Sequence, residues 1–445
     1  MAELALFGGE KTVTRSPGSW PRVGEEEIAA VVDALRKSSE DSRCLTAAGG
    51  GGPMEVFERS FAEFMGAGMA MTTSGGGPAL HIAVMAAGVE AGDEVIVSGY
   101  TWGQTVSCIL QQNAIPVFAD IDERTYNLDA ATIESRITDA TRAIVVVHIY
   151  GHPADMDSIM AVAAKHGLPV IEDCAQAIGA IYHRRRVGTI GHLGCYSIGD
   201  GKNMVGGEGG LLVTNDERLF ELANLMGQHP ARHAEVIKDE SLKKYIDSLI
   251  YTYRIHPLAA VIANVQLRYL DQWNAQRRRH ADYLSRGLAE IPGIEPPDVA
   301  PGCDHVYHIY SPTFVASEVE GVSRERWVEA VAAEGVPIGM GYVRVPIYLR
   351  PRHQEHAYFY GKGCPWKCHF ARRVVQYHRG DCPVTERRCE EQELTIGGSV
   401  AWLGDETALL NQYLDAFRKV TENLDQVREA EAKWLGVKPP SRPAA

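Results

Sequence analysis

The first half of the chain alternates between short apolar runs and longer amphipathic stretches. Nearly continuous apolar runs of this kind are typical of strands that are buried on both faces of a sheet. The runs that predict such strands are DEVIVSG from Asp93, IPVFADID from Ile115, AIVVVHIYG from Ala143, LPVIEDCA from Leu168 and GGLLVTND from Gly209. The stretches that predict helices between them are TVSCILQQN, LDAATIESRI and MDSIMAVAAKHG. This alternation predicts an α/β fold with a mostly parallel sheet covered by helices on both faces.

Helical patterns flank this alternating region on both sides. EEEIAAVVDALRKS, from Glu25 to Ser38, places apolar residues at helical spacing behind an acidic first turn, and Met54 to Met65 predicts a second helix. After about residue 260, a long helical stretch leads into shorter mixed elements. We therefore expect a large domain over residues 1–260 and a smaller α+β domain over residues 261–445. Ligands of such folds bind at the carboxyl ends of the parallel strands.

Composition excludes several classes of protein. The 445 residues are 45% hydrophobic and 23% charged, which is ordinary for a globular chain with more than one domain. A formal net charge of -13 argues against nucleic-acid partners, because these require a basic surface. The N-terminus MAELALFGGEKTV lacks the features of a signal peptide, and no long apolar run predicts a membrane span. We expect a cytoplasmic protein without membrane or nucleic-acid partners.

The nine cysteines suit a reducing compartment better than a disulfide framework. One segment combines several thiols and imidazoles, namely Cys364, Cys368, Cys382 and Cys389 with His369 and His378. A structural zinc site is one interpretation of this segment. Its spacings fit no common zinc finger or ribbon, so free thiols are the preferred interpretation and we predict no metal.

A lysine among glycines is the most informative chemical feature of the chain. Lys202 lies in SIGDGKNMVGGEGG, just after a strand-like CYSI, and the upstream strand LPVIEDCAQAIG ends in Asp173 followed by Gln176. Pyridoxal phosphate needs a lysine amine for its Schiff base and an acid that keeps its pyridine nitrogen protonated. Lys202 and Asp173 fit these two roles. The alternative is a solvated loop lysine and an aspartate that caps a helix.

Two further segments suit the same cofactor. TTSGGGPALHIAVMAAG, from Thr72, predicts a glycine-rich loop that opens a helix, where backbone N–H groups bind a phosphate. Ser197 could add a hydroxyl to the same phosphate. GYTWGQT places Trp102 after a strand, where its indole could stack on a pyridine ring. A core tryptophan and a strand-end serine are the alternatives.

Taken together, these segments resemble the DegT/StrS family of pyridoxal-phosphate sugar aminotransferases, over roughly residues 20 to 425. The motifs that carry the resemblance are TTSG near Ser74, the GDEVIV strand leading to Thr101 and Trp102, AIVVVHIYGHPADMD, VIEDCAQAIGA, VGTIGHLGCYSI and GKNMVGGEGGLLVTND. The resemblance implies fold type I of the pyridoxal-phosphate enzymes and a homodimer. It also implies transamination, because the dehydratase branch of the family carries His in place of Lys202.

The resemblance assigns roles to individual residues. Lys202 forms the Schiff base, Asp173 pairs with the pyridine nitrogen, Gln176 lies on the side of the phenolic oxygen, and Trp102 stacks on the ring. The phosphate is held by Gly75, Gly76 and Ser197. Two departures weaken parts of this assignment. SGGGPAL lacks the usual hydroxyl after Gly75, and Thr252, expected to reach a neighbouring subunit's phosphate, stands where members usually carry Asn.

The C-terminal region bears on the substrate. CPW at Cys364 and CPVTERR at Cys382 look like the aminotransferases that act on keto-cyclitols such as scyllo-inosose in aminoglycoside-type pathways. Their amino donor is L-glutamine or L-glutamate. Nucleotide-linked keto-sugars are the alternative, since a cluster of Arg350, Arg352, Arg372 and Arg373 could bind a diphosphate. Another pyridoxal-phosphate reaction and a non-catalytic regulatory role also remain open.

Overall fold

The computed structural model describes residues 3–247, 251–357 and 361–435, with side chains as far as residue 431. A seven-stranded sheet forms the centre of the molecule, in the order β1-β9-β8-β5-β4-β2-β3. In chain order, the strands of this half are β1 (Met69–Thr73), β2 (Glu94–Ser98), β3 (Ile115–Ala119), β4 (Thr141–Val147), β5 (Val170–Asp173), the small pair β6 (Ile181–Tyr182) and β7 (Arg185–Arg186), β8 (Leu193–Ser197) and β9 (Gly210–Thr214). Strand β9 runs antiparallel to both of its neighbours, and the other neighbouring strands are parallel. The predicted α/β fold with a mostly parallel sheet is confirmed.

The sheet is buried on both faces, which explains why its strands are almost continuously apolar. Successive side chains of a strand point to opposite faces. Along β2, Ile96 belongs to one hydrophobic cluster, whereas Val95 and Val97 belong to the other. Both clusters continue into helices that cover the two faces. Burial of apolar area on this scale is the main favourable term in the stability of the fold.

The helices that cover the sheet follow the predicted pattern closely. Those of the first part of the chain are α1 (Glu25–Lys37), α2 (Gly52–Met65), α3 (Gly76–Ala86), α4 (Gly103–Gln111), α5 (Ala130–Ile133), α6 (Met156–His166), α7 (Glu217–Gly227), α8 (Pro230–Val236), α9 (Glu240–Lys243) and α10 (Pro257–Leu267). The first two predicted helices are present, although α2 begins two residues before the predicted Met54. A proline in its first turn, where no intrahelical partner is needed for the missing N–H, suits that earlier start.

The predicted long helical stretch near residue 260 is divided into two helices, α10 and α11 (Leu270–Leu288). Helix α10 packs against α1 and α2, whereas α11 packs against the C-terminal helix α15. The elements after α11 are β10 (Ile294–Glu295), β11 (Cys303–Asp304), β12 (Thr313–Phe314), α12 (Arg324–Ala333), β13 (Ile338–Gly339), α13 (Pro351–Gln354), α14 (Pro383–Arg387), β14 (Thr395–Ile396), α15 (Thr407–Thr421) and α16 (Leu424–Leu435). The domain division at residue 260 stays a prediction.

A separate hydrophobic cluster stabilises the C-terminal elements. Leu284 of α11, Trp327 of α12 and Phe417 of α15 are fully buried in it, and the N-terminal residue Leu4 packs into the same cluster. The segment around Tyr348 and Trp366 instead packs into the cluster that covers one face of the main sheet. The C-terminal part of the chain thus contributes both to its own cluster and to the core that covers the main sheet. None of the described helices combines the length and apolar character that crossing a bilayer requires.

Candidate active site

A cavity of about 370 Å³ opens where the central parallel strands end. Its walls include the ends of β4, β5 and β8 and the first turns of α3 and α4. Six of the eight predicted site residues line it, namely Gly76, Trp102, Asp173, Gln176, Ser197 and Lys202. The parallel strands bring these residues together because their carboxyl ends share one edge of the sheet.

Asp173 is the last residue of β5 and is buried between β4 and β8. Its Oδ2 accepts a hydrogen bond from Thr105 Oγ1 at 2.8 Å, and its Oδ1 accepts one from the Ala175 N–H at 3.1 Å. Burial raises the pKa of Asp173 above its ordinary value, against the opposing effect of these hydrogen bonds and of Lys202. The carboxyl group is therefore fixed in orientation, and a cationic partner in the cavity favours its ionised form.

Lys202 lies in the loop between β8 and β9, on the same cavity. The backbone of this residue is held on both sides: its N–H donates to the carbonyl of Gly199 at 3.3 Å, and its carbonyl accepts from Trp20 Nε1 at 3.0 Å. Burial lowers the pKa of Lys202, although the nearby carboxylate of Asp173 opposes that shift. An amine in this environment loses its proton more readily than a solvated lysine, as nucleophilic attack on an aldehyde requires.

The opposite end of the cavity suits an anion. Helix α3 begins there, with Gly75 as its N-cap, and the first N–H groups of a helix have no intrahelical acceptors. A Cβ on Gly76 would lie 2.8 Å from Ser197 Cβ, and one on Gly77 would lie 2.6 Å from Gln104 Nε2. A side chain on Gly76 would therefore collide with Ser197, whereas one on Gly77 would require the Gln104 side chain to move. Gly75 itself is outside the lining of the cavity.

An aromatic pair closes one side of the cavity. The rings of Trp102 and Tyr342 are stacked, with centroids 5.6 Å apart and an angle of 28° between the planes. Trp102 is nevertheless 58% exposed, so its indole offers a large surface to a planar ligand. Gln176 is fixed nearby, because its Oε1 accepts the backbone N–H of Tyr150 at 2.6 Å. The alternative of a core tryptophan is therefore wrong.

Thr252, like Gly75, is a predicted residue outside the lining of the cavity. It is exposed and has a left-handed backbone with φ of 49°. The adjacent Tyr253 ties the segment to the start of α3, since its carbonyl accepts the Ser74 N–H at 2.8 Å and its hydroxyl lies 3.1 Å from His81 Nδ1. A contact of Thr252 with the phosphate of a neighbouring subunit stays a prediction.

Comparison with known proteins identifies the family. The model of the DegT/DnrJ/EryC1/StrS aminotransferase family matches residues 18–386. The chain belongs to this family. Its fold is that of the pyridoxal-phosphate enzymes of fold type I, and its activity is that of a pyridoxal-phosphate-dependent aminotransferase. The predictions of family, fold class, cofactor and transaminase activity are confirmed.

Two curated relatives and one solved structure illustrate the similarity. The chain is 36% identical over 341 residues to the L-glutamine:scyllo-inosose aminotransferase of Streptomyces griseus, a match that covers 75% of this chain and 79% of the relative. It is 35% identical over 345 residues to the L-glutamine:2-deoxy-scyllo-inosose aminotransferase of Micromonospora echinospora, covering 75% and 80%. The crystal structure of the aminotransferase from Psychrobacter cryohalolentis superposes with a TM-score of 0.77 at 29% identity, covering 92% of this chain and 100% of that one.

The described residues fit pyridoxal phosphate. The cavity combines the Lys202 amine, the buried Asp173 carboxylate and a helix start that a Cβ on Gly76 would obstruct. These groups suit, respectively, the aldehyde, the pyridine nitrogen and the phosphate of the cofactor. The exposed face of Trp102 completes the set with a surface for the ring. The role that each of these residues plays in this aminotransferase is still a prediction.

Sequence reasoning missed several residues of the aminotransferase cavity, namely Gly77, Gln104, Thr105, His308 and Tyr342. Thr105 could have been found, because it follows Trp102 within one helical turn of the same strand end. His308 and Tyr342 lie more than a hundred residues beyond Lys202 and carry no local signal. Burial and the charge of Lys202 hold the pKa of His308 well below its ordinary value, so this imidazole is neutral.

The four arginines considered for a diphosphate groove do not form one cluster. Arg373 Nε donates a hydrogen bond to Glu94 Oε1 at 2.6 Å. Arg372 Nη2 lies 3.6 Å from Asp93 Oδ1. Glu94 begins β2, so these two cations lie at the amino end of the sheet, opposite the cavity. Buried carboxylates at that end require cationic partners, which explains the separation. Only Arg350 and Arg352 lie on the active-site side.

The cysteine-rich segment is dispersed in the fold. Cys382 and Cys389 are buried in two different hydrophobic clusters, whereas Cys364 is exposed. Within residues 3–247, 251–357 and 361–431, the group of possible metal ligands that lies close together is elsewhere, at His148, Glu172 and Cys174. The prediction of free thiols without a metal in this segment stays a prediction.

Both carboxylate oxygens of the buried Glu172 have hydrogen-bond partners, so its burial does not require a metal. Glu172 Oε1 accepts hydrogen bonds from the N–H groups of Ile190 at 2.8 Å and Gly191 at 2.5 Å. Its Oε2 accepts a hydrogen bond from the Gly188 N–H at 2.6 Å and lies 3.0 Å from His148 Nε2. Burial alone would raise the pKa of Glu172, but these hydrogen bonds outweigh it and hold the pKa below its ordinary value. Glu172 thus fixes the loop before β8 directly beside Asp173.

A second buried carboxylate joins the two halves of the site. Glu393 Oε1 accepts hydrogen bonds from the hydroxyls of Tyr100 and Tyr150 and from the Tyr342 N–H, the last at 2.6 Å. A Cβ on Gly341 would lie 2.2 Å from Glu393 Oε2, so the chain can pass here only as glycine. Glu393 therefore fixes the backbone of Tyr342, whose ring stacks on Trp102.

Burial raises the pKa of Glu393 to about 7, although its three donors favour the ionised form. A carboxyl group with a raised pKa in the folded state stabilises the protein below its unfolded pKa, near 4.5. We expect that stabilisation to be lost as the pH rises to about 7, at about 1.4 kcal/mol for each pH unit. Chemical denaturation of the wild type and of Glu393→Gln across this pH range measures the difference in their free energies of unfolding.

The difference in unfolding free energy between wild type and Glu393→Gln should change with pH, and Glu422→Gln, at an exposed position, is measured beside it as the control. A Glu393→Gln difference that is independent of pH would contradict the raised pKa of Glu393.

Proposed function

We propose that the protein transfers an amino group from L-glutamine to a keto-cyclitol, within an aminoglycoside-type biosynthetic pathway. The observation that carries the proposal is the buried pair of Lys202 and Asp173 in a cavity that fits pyridoxal phosphate. The names of the relatives from Streptomyces griseus and Micromonospora echinospora support the donor and the class of acceptor. L-glutamate is the alternative donor.

The residues of this chain have distinct roles in the proposal. Pyridoxal phosphate, when bound, supplies an electron sink that makes the hydrogen on the donor's α-carbon acidic. Asp173 holds the proton on the pyridine nitrogen, oriented by Thr105 at 2.8 Å. Lys202 Nζ accepts the proton from the donor's α-carbon, and its lowered pKa keeps the amine available as a base. Trp102 covers the cavity and limits the entry of water.

Charge favours an uncharged acceptor over a nucleotide-linked sugar. Among the described residues, the cofactor cavity is lined by one cation, Lys202, and by the carboxylates of Asp173 and Asp200. Arg372 and Arg373 are engaged by Asp93 and Glu94 at the other end of the sheet. A diphosphate would therefore have fewer cationic partners near the cavity than a cluster of all four arginines would provide. Nucleotide-linked keto-sugars remain the second candidate through Arg350 and Arg352.

We also propose a homodimer, with the Thr252 segment reaching the partner's cofactor. Helix α1 leaves Ile28, Val32 and Leu35 exposed on one face, and Tyr251 beside Thr252 is exposed as well. Apolar stripes of this kind are typical of surfaces that another subunit covers.

A cytoplasmic location is supported by the free thiols. The net charge of -13 supports the absence of nucleic-acid partners.

The dimer is tested by mass in solution. Sedimentation equilibrium of the purified protein should give about twice the chain mass of 48.7 kDa, because the exposed apolar stripe needs a partner surface. Changing Val32 to Glu in the middle of the stripe should shift the mass toward the monomer, while Glu26→Gln on the same helix serves as the control. A monomeric wild type at micromolar concentration contradicts the proposal.

The amino transfer is tested by absorption spectroscopy. With pyridoxal phosphate, the wild type should show a visible band that L-glutamine removes as the cofactor takes up the amino group, and Lys202→Ala should lack this response. Asp173→Asn should bind the cofactor but react at least about 100-fold more slowly, because an amide cannot stabilise the protonated pyridine. Thr105→Ser, which keeps the hydroxyl beside Asp173, is the matched control. A wild-type band that persists with every amino donor would rule out the proposed transfer.

The acceptor is tested on the aminated enzyme. Mixing it with a keto-cyclitol such as scyllo-inosose should restore the original absorption band, because the neutral ring needs no further cation. Nucleotide-linked keto-sugars should restore it at least about tenfold less efficiently, a difference of about 1.4 kcal/mol. The reverse preference would favour the second candidate.

A further inference from the structure

The lysine loop, residues 198–209 between β8 and β9, belongs to no helix and no strand. Gly201 and Gly207, on either side of Lys202, have positive φ angles of 77° and 96°. A Cβ on either glycine would meet no atom of the described residues within 4 Å. The loop is thus loosely packed around the lysine. The position of the Lys202 backbone therefore depends on contacts with other segments of the chain.

The residues just before α1 supply two of these contacts. Trp20 Nε1 donates a hydrogen bond to the Lys202 carbonyl at 3.0 Å. The second contact runs through the buried Gln266 of α10, whose Nε2 donates to the Arg22 carbonyl at 2.9 Å. Oε1 of the same side chain accepts the Val205 N–H at 2.9 Å. The N-terminal part of the chain therefore holds the lysine loop at two points, and one of them is the lysine itself.

A buried arginine of α11 fixes the indole of Trp20. Arg277 is fully buried, and its hydrogen bonds go to neutral acceptors, the Val400 carbonyl at 2.9 Å and Asn274 Oδ1 at 2.9 Å. Within the described residues its Nη2 has no hydrogen-bond partner, and burial lowers its pKa to about 9. The guanidinium carbon lies 4.9 Å from the centroid of the Trp20 ring. An aromatic face stabilises a desolvated cation that no carboxylate neutralises.

The direction of the indole N–H follows from this packing. The face of Trp20 lies on Arg277, and its ring meets Trp273 edge to face, with centroids 5.6 Å apart and an angle of 86° between the planes. A ring that is held by two neighbours at right angles cannot turn without losing both contacts. The N–H of Trp20 is therefore directed at the Lys202 carbonyl by the packing against α11.

We propose that Trp20 is a positioning residue, which holds the backbone of Lys202 so that the amine reaches the donor's α-carbon. The proposal rests on the proposed function, because it concerns the proton transfer of that reaction. Proton transfer requires the amine close to the carbon, and a fixed backbone restricts the positions that the side chain can take. Trp20 is outside the lining of the cofactor cavity. It therefore acts through Lys202 and not by contact with either substrate.

The first test follows the half-reaction with L-glutamine by absorption in the cofactor-loaded protein. Trp20→Phe keeps an aromatic face for Arg277 but removes the N–H that the Lys202 carbonyl accepts. We expect the rate at saturating L-glutamine to fall about 5- to 50-fold, since one hydrogen bond and the precision of the amine are lost. The half-saturating concentration should stay within about twofold of the wild-type value, because Trp20 contacts no donor.

Trp327→Phe is the matched control for this substitution. Trp327 is fully buried in the separate C-terminal cluster, and its Nε1 has no hydrogen-bond partner within the described residues. The same exchange of indole for phenyl there should leave both kinetic constants of the half-reaction unchanged. Folding of each variant is checked by its thermal midpoint.

The second test needs no turnover and no cofactor. In the structure, the N–H groups of Lys202, Val205 and Gly206 are hydrogen-bonded, so their exchange with deuterium reports how firmly the lysine loop is held. Mass spectrometry of the cofactor-free protein should show exchange at least about fivefold faster in peptides of residues 198–209 of Trp20→Phe. Peptides of β5 should exchange as in the wild type, and Trp327→Phe should leave the loop unchanged.

The outcomes separate the two proposals. If the wild type reacts with no amino donor, the proposed function fails, and the exchange measurement alone decides whether Trp20 holds the lysine loop. In a reacting enzyme the positioning role requires both results, so a slower reaction without faster exchange, or the reverse, overturns it. A higher half-saturating concentration at an unchanged saturated rate would assign Trp20 to donor binding instead. An equal loss of rate in Trp327→Phe would attribute the effect to stability, which also overturns the inference.

Discussion

The burial of one carboxylate, Asp173, constrains the arrangement of the whole site. A charged group at the centre of an apolar sheet is unfavourable unless it is hydrogen-bonded and faces a cation. Thr105 and the Ala175 N–H supply the hydrogen bonds, which fixes the start of α4 and the loop after β5 against the same strand end. Lys202 supplies the charge. The first turn of α4, the loop after β5 and the lysine loop are therefore placed by the requirements of one side chain.

Two more buried carboxylates extend this principle outward. Glu172, the neighbour of Asp173 on β5, collects three backbone N–H groups and so fixes the loop that leads into β8. Glu393 comes from the far C-terminal part of the chain and accepts hydrogen bonds from Tyr100 and Tyr150, which follow β2 and β4. Ionic and hydrogen-bonded contacts of this kind add directionality to a core whose apolar packing is not directional. They hold the loops of the site to a sheet that the hydrophobic effect assembles.

The distribution of cations separates structural from functional charges. Arg372 and Arg373 neutralise carboxylates at the amino end of β2, on the side of the sheet opposite the cofactor cavity. Arg350 lies near the carboxyl ends of the strands, in a cavity whose described lining residues include no carboxylate. A cation that the fold has already paired is not available to a substrate, whereas an unpaired one retains its full potential for an incoming anion. We therefore expect arginines on the cavity side of the sheet, and not those at its amino end, to influence the substrate preference.

The sequence by itself determined the mostly parallel sheet and the cofactor, and it predicted the two residues that we propose to serve that cofactor. Strands β2 to β5, β8 and β9 are each predicted by a local apolar run, whereas β1 (Met69–Thr73) was not predicted. Lys202 and Asp173 stand out because Lys202 follows such a run and Asp173 ends one. The parallel arrangement then brings the carboxyl ends of the parallel strands to one edge, so the convergence of the residues that follow them is expected from local pattern alone. The order of the motifs along the chain was sufficient to identify the family.

Only the tertiary structure decided which distant residues complete the site. Tyr342, His308 and Glu393 lie more than a hundred residues beyond Lys202, and no local periodicity encodes where such distant segments return. Arg350 and Arg373 look alike in the sequence, yet one lies beside the cofactor cavity and the other at the opposite end of the sheet. The physical reason is that hydrophobic patterns specify local elements, whereas the pairing of a charge depends on every element that packs around it.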